Sequence, residues 1–287
     1  LVSNLPEEEF YEPVTQATHF MYGGKNRKLG IEVARVNRTC GGSVRAPGEA
    51  VGMQVLENAM DELAEAAGID PVELRRRNVP DRHPEQDIPY SSRRFIEALD
   101  EGAKLFQWDK RNKTPGSLRE GDWLVGHGMA GAARVNILSE AKARVTLLAD
   151  GTAVVETDMT DIGTGTYAIL TQIAGDMLGL PASKVETKLG DTDFPAGPGS
   201  GGSWGASSAG SAVFLACEEI RKKLAEQIGS EETDLALANG KAGTGESMRS
   251  FADILGGQNI SAIGHIEPGK TLEEWQQATY GSYFAEV

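Results

Sequence analysis

The spacing of apolar residues along the chain predicts alternating helices and strands. One run, which Gly68 ends, has apolar residues at every fourth position, flanked by Leu56 and Met60: Val51, Val55, Ala59, Leu63 and Ala67. Asp70 and Pro71 are of the types preferred at the N-cap and first position of the next helix. Helices are therefore predicted over 70–77, 92–106, 166–178 and 250–255, and along a stripe of Val213, Cys217, Ile220, Leu224 and Ile228.

Strand-like runs concentrate in the second half of the chain. The pattern predicts strands over 125–132, 143–148, 152–157, 185–189, 260–265 and 280–287, and Asp150-Gly151 is typical of a hairpin turn. Residues 108–122 are polar and contain Pro115, Gly116 and Gly121, so we place a domain boundary there. The expected fold is α/β (α+β) in two parts, 1–118 and 119–287. A parallel, doubly wound sheet would contradict this expectation.

Composition argues against several classes of partner. The net charge is −14 and no run is rich in Lys or Arg, so we expect no nucleic-acid partner. No apolar run is long enough to span a bilayer, so we expect no membrane insertion. Cys40 and Cys217 lack the spacing of cluster or metal ligands. The histidines are also scattered, so we predict no metal held by protein side chains: His19, His83, His127 and His265.

Two glycine-rich segments carry the candidate chemistry. The first contains Gly163, Thr164, Gly165 and Thr166, and the second contains Ser200, Gly201, Gly202 and Ser203. Each follows a predicted strand and precedes a predicted helix, an arrangement in which backbone N–H groups and a helix N-terminus can hold an anion. Thr166 is expected to cap its helix. Each segment alone is also compatible with a ligand-free turn or surface loop, but the presence of both favours a phosphate-bearing cofactor.

Arg45 is a further candidate, because it lies between Gly42 and Gly48 in a loop. Its planar guanidinium could clamp an oxyanion or a phosphate, with a surface salt bridge as the alternative. A Gly-x-Gly-Glu string at 243–246 could in principle present a catalytic carboxylate. Its surroundings instead predict that Glu246 belongs to a hairpin or to the start of a helix.

Five segments together resemble the molybdenum-binding large subunit of the xanthine dehydrogenase/aldehyde oxidoreductase family. They are GSVRAPG at 42–48, DPVELRRRN at 70–78, TDMTDIGTGTY at 157–167, LGDTD at 189–193 and SGGSWG at 200–205. They follow the family's order and cover nearly the whole chain, so together they are far more specific than any one motif. The first and third are most like the forms found in bacterial periplasmic-type aldehyde oxidoreductases.

The resemblance implies molybdopterin-binding domains: the end of a first one over 1–118 and most of a second over 119–287. It implies molybdenum-molybdopterin, in the cytosine dinucleotide form in most bacterial members, with the metal held by the pterin dithiolene. Arg45 is implied to be catalytic at the molybdenum centre. Arg45 and Ala46 are implied to bind the cofactor together with Gly163–Thr166 and Ser200–Ser203, on one wall of a cleft. The implied reaction hydroxylates an aldehyde to a carboxylic acid with water, and electrons pass to iron–sulfur and FAD subunits.

The chain departs from the family pattern in three places. The family's glycine-rich segment ahead of the arginine loop is absent, and its catalytic glutamate loop is expected beyond Val287, since Glu246 is in the wrong position. Thr164 stands where many relatives have Gln, and its shorter side chain cannot place an amide in the same way. We therefore expect a middle segment of a larger subunit.

Two other functions are compatible with the same residues. The enzyme could be a molybdenum hydroxylase acting on an N-heterocycle such as a purine, nicotinate or isoquinoline. Alternatively, the loops could serve a non-catalytic module that binds another phosphate ligand. The compartment stays open, periplasmic or cytoplasmic, because a partner subunit could carry the targeting signal.

Overall fold

The computed structural model describes residues 11–34, 37, 43–245 and 247–287. The helices are α1 (Pro47–Ala67), α2 (Pro71–Asn78), α3 (Phe95–Phe106), α4 (Thr166–Leu178), α5 (Gly205–Ile228), α6 (Phe251–Leu255) and α7 (Thr271–Glu274). The strands are β1 (Arg119–Glu120), β2 (Trp123–Leu124), β3 (His127–Val135), β4 (Ala141–Leu147), β5 (Ala153–Thr157), β6 (Val185–Leu189), β7 (Ala236–Ala238), β8 (Lys241–Thr244), β9 (Ser247–Ser250), β10 (Ile260–Ile266) and β11 (Ala278–Glu286). Cys40, Gly42 and Glu246 lie outside the described residues.

The chain divides into two compact units. Unit 1 combines the described residues up to Val135 with Glu273–Val287, and unit 2 is Asn136–Leu272. The predicted boundary between two cofactor-binding domains, 1–118 and 119–287, is defined by sequence and is distinct from the boundary between these compact units. It stays a prediction. None of the helices within the described ranges combines the length and the apolar character that crossing a membrane requires.

Unit 1 is built around a ribbon of two long strands. β3 and β11 pair in antiparallel register from Val135–Ala278 to His127–Glu286. Alternate residues of β3 are buried, as expected for a strand with one face in a core. Gly131 has no room for a side chain, because a Cβ there would lie 2.8 Å from both Met21 and Phe95.

Helix α1 is present as predicted, but the predicted apolar stripe does not form its buried face. Val55 and Leu63 are 65% and 51% exposed, whereas Met53, Glu57, Met60 and Ala64 are buried. The buried face is displaced because Arg75 of α2, itself fully buried, pairs with the Glu57 carboxylate at 2.7 Å. A charged residue can occupy a core position when a buried partner neutralises it.

Unit 2 has a four-stranded sheet in the order β10-β4-β5-β6. β10, β4 and β5 are antiparallel and β6 is parallel to β5, so the sheet is mixed. The α+β expectation is thereby confirmed. The predicted Asp150-Gly151 turn joins β4 to β5, with Gly151 at a φ of 82°. One face of the sheet is buried beneath α4 and α5, and Gly264 lets α5 approach so closely that a Cβ would meet the Ala212 carbonyl oxygen at 1.9 Å.

Candidate cofactor-binding site

Both glycine-rich segments lie in unit 2 at corresponding positions after a strand. Loop A (residues 161–165) joins β5 to α4, and loop B (residues 195–204) joins β6 to α5. Strands β5 and β6 are parallel neighbours, so both loops leave the same edge of the sheet. Helices α4 and α5 also pack against each other. The structure therefore brings together two loops that are separated in sequence.

The start of α4 differs from the sequence-based expectation. Gly165, at a φ of 85°, is the N-cap, and this residue has no side chain with which to cap the helix. Thr166 is the first helical residue and is buried, so the prediction that it caps α4 is wrong. A left-handed N-cap position suits glycine, which has no Cβ to clash there.

A carboxylate takes the place expected for the cap. Asp161 Oδ1 accepts hydrogen bonds from the N–H groups of Gly163 at 2.7 Å and Thr164 at 3.0 Å. Desolvation raises the pKa of Asp161, but the N–H groups of Gly163, Tyr167, Thr164 and Gly165 outweigh it and hold that pKa below its usual value. The first amides of loop A are thus already paired with an internal anion, which a phosphate would have to displace.

Loop B has a strongly constrained backbone around its paired glycines. Gly202 and Ser203 both have left-handed φ values, 51° and 59°. A Cβ on Gly202 would lie 2.1 Å from the Trp204 ring, whereas one on Gly201 would be at an ordinary 3.6 Å. The Trp204 indole N–H donates to the Gly199 carbonyl at 3.3 Å. Because of these contacts, only glycine fits at position 202.

The end of β5 ties loop B to loop A. Asp158 accepts a hydrogen bond from the Gly197 N–H, and its own N–H donates to the Pro195 carbonyl at 2.9 Å. The Ser200 hydroxyl donates to the Thr160 carbonyl, and Ser200 Oγ lies 2.8 Å from Thr160 Oγ1. In the sequence, residues 157–161 are recognisable only as part of a motif. The available signal for their role is that four of these five residues are Thr or Asp, which hydrogen-bond readily to nearby backbone.

The donor set at this edge of unit 2 fits an anionic ligand. Helices α4 and α5 contain 13 and 24 residues, and the N-cap residue of neither supplies a side-chain cap, although the Tyr167 N–H of α4 lies 3.5 Å from Asp161 Oδ2. Such amides, with the positive end of the helix dipole, attract phosphate groups. Gly163, Gly165 and Gly199 have no heavy atom within 4 Å of the position a Cβ would take, so this surface is open to a ligand.

Arg45 and Ala46 belong to unit 1, before α1. Arg45 is exposed, and no hydrogen bond or ion pair joins it to another of the described residues. Ala46 is the N-cap of α1 at a φ of 47°, a strained conformation for a residue with a Cβ. Ala46 also lines an open groove of about 480 Å³ in unit 1, together with Glu49, Met53 and residues of β3 and β11. The expectation that Arg45 shares a cleft wall with loops A and B stays a prediction.

Two other groups of residues bear on the metal and carboxylate expectations. Gly245 lies in the turn between β8 and β9, so the hairpin is the one of the two predicted settings, hairpin or helix start, that the described residues of the 243–246 string adopt. His265 Nε2 lies 2.9 Å from Glu140 Oε1 and 3.7 Å from Glu267 Oε1. All three side chains are exposed, and surface hydrogen bonding between the imidazole and the carboxylates accounts for this cluster.

Comparison with known proteins decides the family. Two sequence families, each described as a molybdopterin cofactor-binding domain, match residues 101–287 and 7–79. The chain belongs to the molybdopterin cofactor-binding domain family. The resemblance stated from the sequence is thereby confirmed, and a molybdenum-molybdopterin cofactor is the ligand class that this family binds.

Individual relatives agree with this assignment. The chain is 44% identical over 277 residues to the aldehyde oxidoreductase molybdenum-binding subunit PaoC of Escherichia coli K12, and the match covers 96% of this chain and 38% of that protein. It is 27% identical over 271 residues to the probable hypoxanthine oxidase XdhD of the same organism, covering 86% of this chain and 28% of that one. The chain thus spans well under half the length of these relatives.

A solved structure reproduces the fold at low sequence identity. The crystal structure of quinoline 2-oxidoreductase from Pseudomonas putida 86 superposes with a TM-score of 0.74, covering 99% of this chain and 41% of that one at 20% identity. Similarity at this identity concerns the fold of the molybdopterin-binding chain. It agrees with the α+β architecture derived above.

Proposed function

We propose that the chain is part of the molybdenum-binding subunit of an oxidoreductase that hydroxylates aldehydes to carboxylic acids. The observation that carries this proposal is its 44% identity to an aldehyde oxidoreductase molybdenum-binding subunit along 96% of the chain. The adjoining loops A and B, each leading into a helix whose N-cap residue supplies no side-chain cap, support an anionic cofactor at this edge of unit 2.

The two loops would have different shares in holding the cofactor. In loop A, Asp161 already takes up the amides of Gly163 and Thr164, so ligand contacts would come from the Thr164 side chain and from the backbone at the open Gly165 position and at Thr166, whose side chain is buried. In loop B, the exposed backbone at Gly201 and the constrained backbone at Gly202, with Ser203 and the first turn of α5, would face the phosphates. The stronger anion site is therefore loop B.

The protein's own residues would orient the reactants and stabilise charge. When bound, the molybdenum cofactor supplies the oxidising centre and an oxygen atom derived from water. The overall change converts RCHO and H2O to RCOOH, two protons and two electrons. Arg45 would stabilise the negative charge that develops at the reacting group, a task that suits a permanently charged, planar guanidinium.

The cofactor form and the partners follow from the same proposal. We expect the cytosine dinucleotide form of molybdopterin, whose pyrophosphate suits two neighbouring anion-binding loops. Two electrons must leave after each turnover, and we expect an iron–sulfur subunit and an FAD subunit of the same enzyme to receive them. Cys217, the free cysteine among the described residues, is buried in the core of unit 2, and burial raises the pKa of its thiol to about 12.

A second candidate function keeps the cofactor and changes the substrate. The relation to a probable hypoxanthine oxidase and the fold shared with quinoline 2-oxidoreductase favour an N-heterocycle hydroxylase as the alternative. A non-catalytic module that binds a phosphate ligand through the same loops is the third possibility.

The test is chemical analysis of the purified full-length complex, followed by a substrate panel. We expect about one molybdenum per subunit by mass spectrometry and an equal amount of CMP after acid hydrolysis. Aromatic and aliphatic aldehydes should be oxidised with kcat/KM at least about tenfold above that for hypoxanthine, nicotinate or quinoline, a difference of about 1.4 kcal/mol in the barrier. The reverse order would favour the heterocycle hydroxylase, and absence of both molybdenum and nucleotide would favour the non-catalytic module.

A further inference from the structure

A five-residue segment at the end of β5, residues 157–161, contacts both glycine-rich loops. Asp161, the first residue of loop A, holds the amides of that loop, while Asp158 and Thr160 bond to loop B. Thr157 is fully buried, and its hydroxyl lies 3.0 Å from the Lys142 carbonyl of β4. The segment is therefore anchored in the sheet at one end and bonded to both loops at the other.

The bonding of Ser200 limits what its hydroxyl can do. A serine hydroxyl has one proton and two lone pairs. The Ser200 proton is directed to the Thr160 carbonyl, and the Thr160 hydroxyl, 2.8 Å away, is then the donor to Ser200 Oγ. In this arrangement Ser200 has only acceptor capacity left, which an anionic phosphate cannot use. Its side chain serves to hold loop B beside loop A.

We propose that Thr160 and Ser200 form a positioning pair that presets the anion-binding backbone of loop B, and that Ser200 does not itself bind the phosphate. This inference rests on the proposed function, since it concerns the phosphate-bearing cofactor. Ser200 directly precedes Gly201 and Gly202. Glycine has the greatest backbone conformational freedom of any residue type, so ordering these two residues removes the most entropy. Tying the loop down before binding reduces the conformational entropy that a ligand would otherwise have to remove.

The test is a double-mutant cycle in the full-length complex with three loop variants, S200A, T160V and the double variant. Thr160→Val keeps the shape and removes the hydroxyl. The matched control is Thr187→Val, which breaks a hydroxyl pair of the same 2.8 Å length between Thr187 and Thr171, away from the loops. The measured quantity is the rate at which molybdenum and CMP leave the complex during dialysis. Amide hydrogen exchange at residues 201–203 is followed in parallel.

The positioning pair predicts graded and non-additive effects. S200A removes both hydrogen bonds of the pair and should release the cofactor about 3- to 10-fold faster, whereas T160V keeps the bond from Ser200 to the backbone carbonyl of residue 160 and should release it only about 2- to 3-fold faster. The double variant should be no faster than S200A, and T187V should match wild type. Exchange at residues 201–203 should rise in the same order.

Other outcomes overturn the inference. Faster release in S200A without faster exchange at residues 201–203 would make Ser200 a direct ligand. Additive effects, or no effect in either single variant, would mean that the pair does not preset the loop. If the wild-type complex carries neither molybdenum nor nucleotide, the proposed function fails on its own. Hydrogen exchange then still decides whether Thr160 and Ser200 order loop B.

Discussion

At the residue scale, the buried charges of unit 1 make the clearest stability prediction. Glu57 accepts hydrogen bonds from Arg75 Nε at 2.7 Å and from the Tyr22 hydroxyl at 2.8 Å, and it also accepts from the Gly131 N–H. Arg75 also bonds to Asp61 at 2.8 Å. Replacing Arg75 with Met would leave the Glu57 carboxylate buried without its cation, which costs about 3–5 kcal/mol.

The measurement is the opening free energy of α1 and α2 by native-state hydrogen exchange in R75M. The matched control is R77M on the same helix, because Arg77 is 59% exposed and pairs with Glu73 on the surface. Exposed pairs contribute about 0–1 kcal/mol, so R77M should remain close to wild type. Equal losses in the two variants would contradict a special role for the buried pair.

His83 predicts a pH dependence of local stability. It is 5% exposed, and its Nδ1 accepts hydrogen bonds from the N–H groups of Glu85 and Gln86 at 3.2 Å. Desolvation lowers the pKa of His83 most, Glu85 opposes it, and the neighbouring His19 and Arg27 lower it further. The folded state therefore binds the proton less readily than the unfolded state.

The stability from neutral His83 is complete above about pH 6.5, the pKa of an unfolded histidine, and is lost as pH falls through the lower folded value. Protection of the Glu85 and Gln86 amides, corrected for intrinsic exchange, should thus decrease between pH 7 and 5. His83→Asn keeps an acceptor without a titrating group and should remove this decrease. The same slope in wild type and H83N would assign the effect to another group.

Single residues were predictable from the sequence where the chemistry is local. Asp70 caps α2 as predicted, since its carboxylate accepts from the N–H groups of Val72 and Glu73 within three residues. Thr166 fails as a cap because Asp161, five residues earlier, takes up the loop amides. Thr160 and Ser200 could not be paired from the sequence, because their contact depends on two parallel strands lying side by side.

At the element scale, strongly patterned segments agree with their predictions. Helix α4 and strand β6 have the predicted bounds, since Gly179 and Pro181 end the one and the alternation of Val185, Thr187 and Leu189 with charged residues marks the other. The face of α1 could not be found by counting apolar residues. Its buried side includes Glu57, and only the partner Arg75 on another helix makes that burial favourable.

At the scale of the whole molecule, the long-range pairing of strands was beyond the sequence pattern. Strands over 125–132 and 280–287 were both predicted. Their pairing, as β3 and β11, was not predicted, because all of unit 2 separates them in the sequence. Periodicity reports which residues face a core and says nothing about which strand lies beside which. The composition of unit 1 from both ends of the chain follows from that pairing.

The division into units suggests that cofactor retention and chemistry depend on different parts of the chain. The loops that would hold the phosphates belong to unit 2, and Arg45 belongs to unit 1. Arg45→Lys in the full complex keeps the charge and loses the planar fork. We expect kcat/KM for an aldehyde to fall by about 10²-fold or more, corresponding to about 3 kcal/mol of transition-state stabilisation, while molybdenum content falls much less.

The control for this prediction is Arg94→Lys, since Arg94 is another exposed arginine of unit 1 and should tolerate the change. The loop variants S200A and T160V give the opposite pattern, because they should lose cofactor while each remaining loaded site turns over normally. Kinetics normalised to molybdenum content separate the two cases. If R45K loses molybdenum in proportion to its activity, Arg45 binds the cofactor and has no separate part in the reaction. Unchanged kinetics in R45K would remove it from the site altogether.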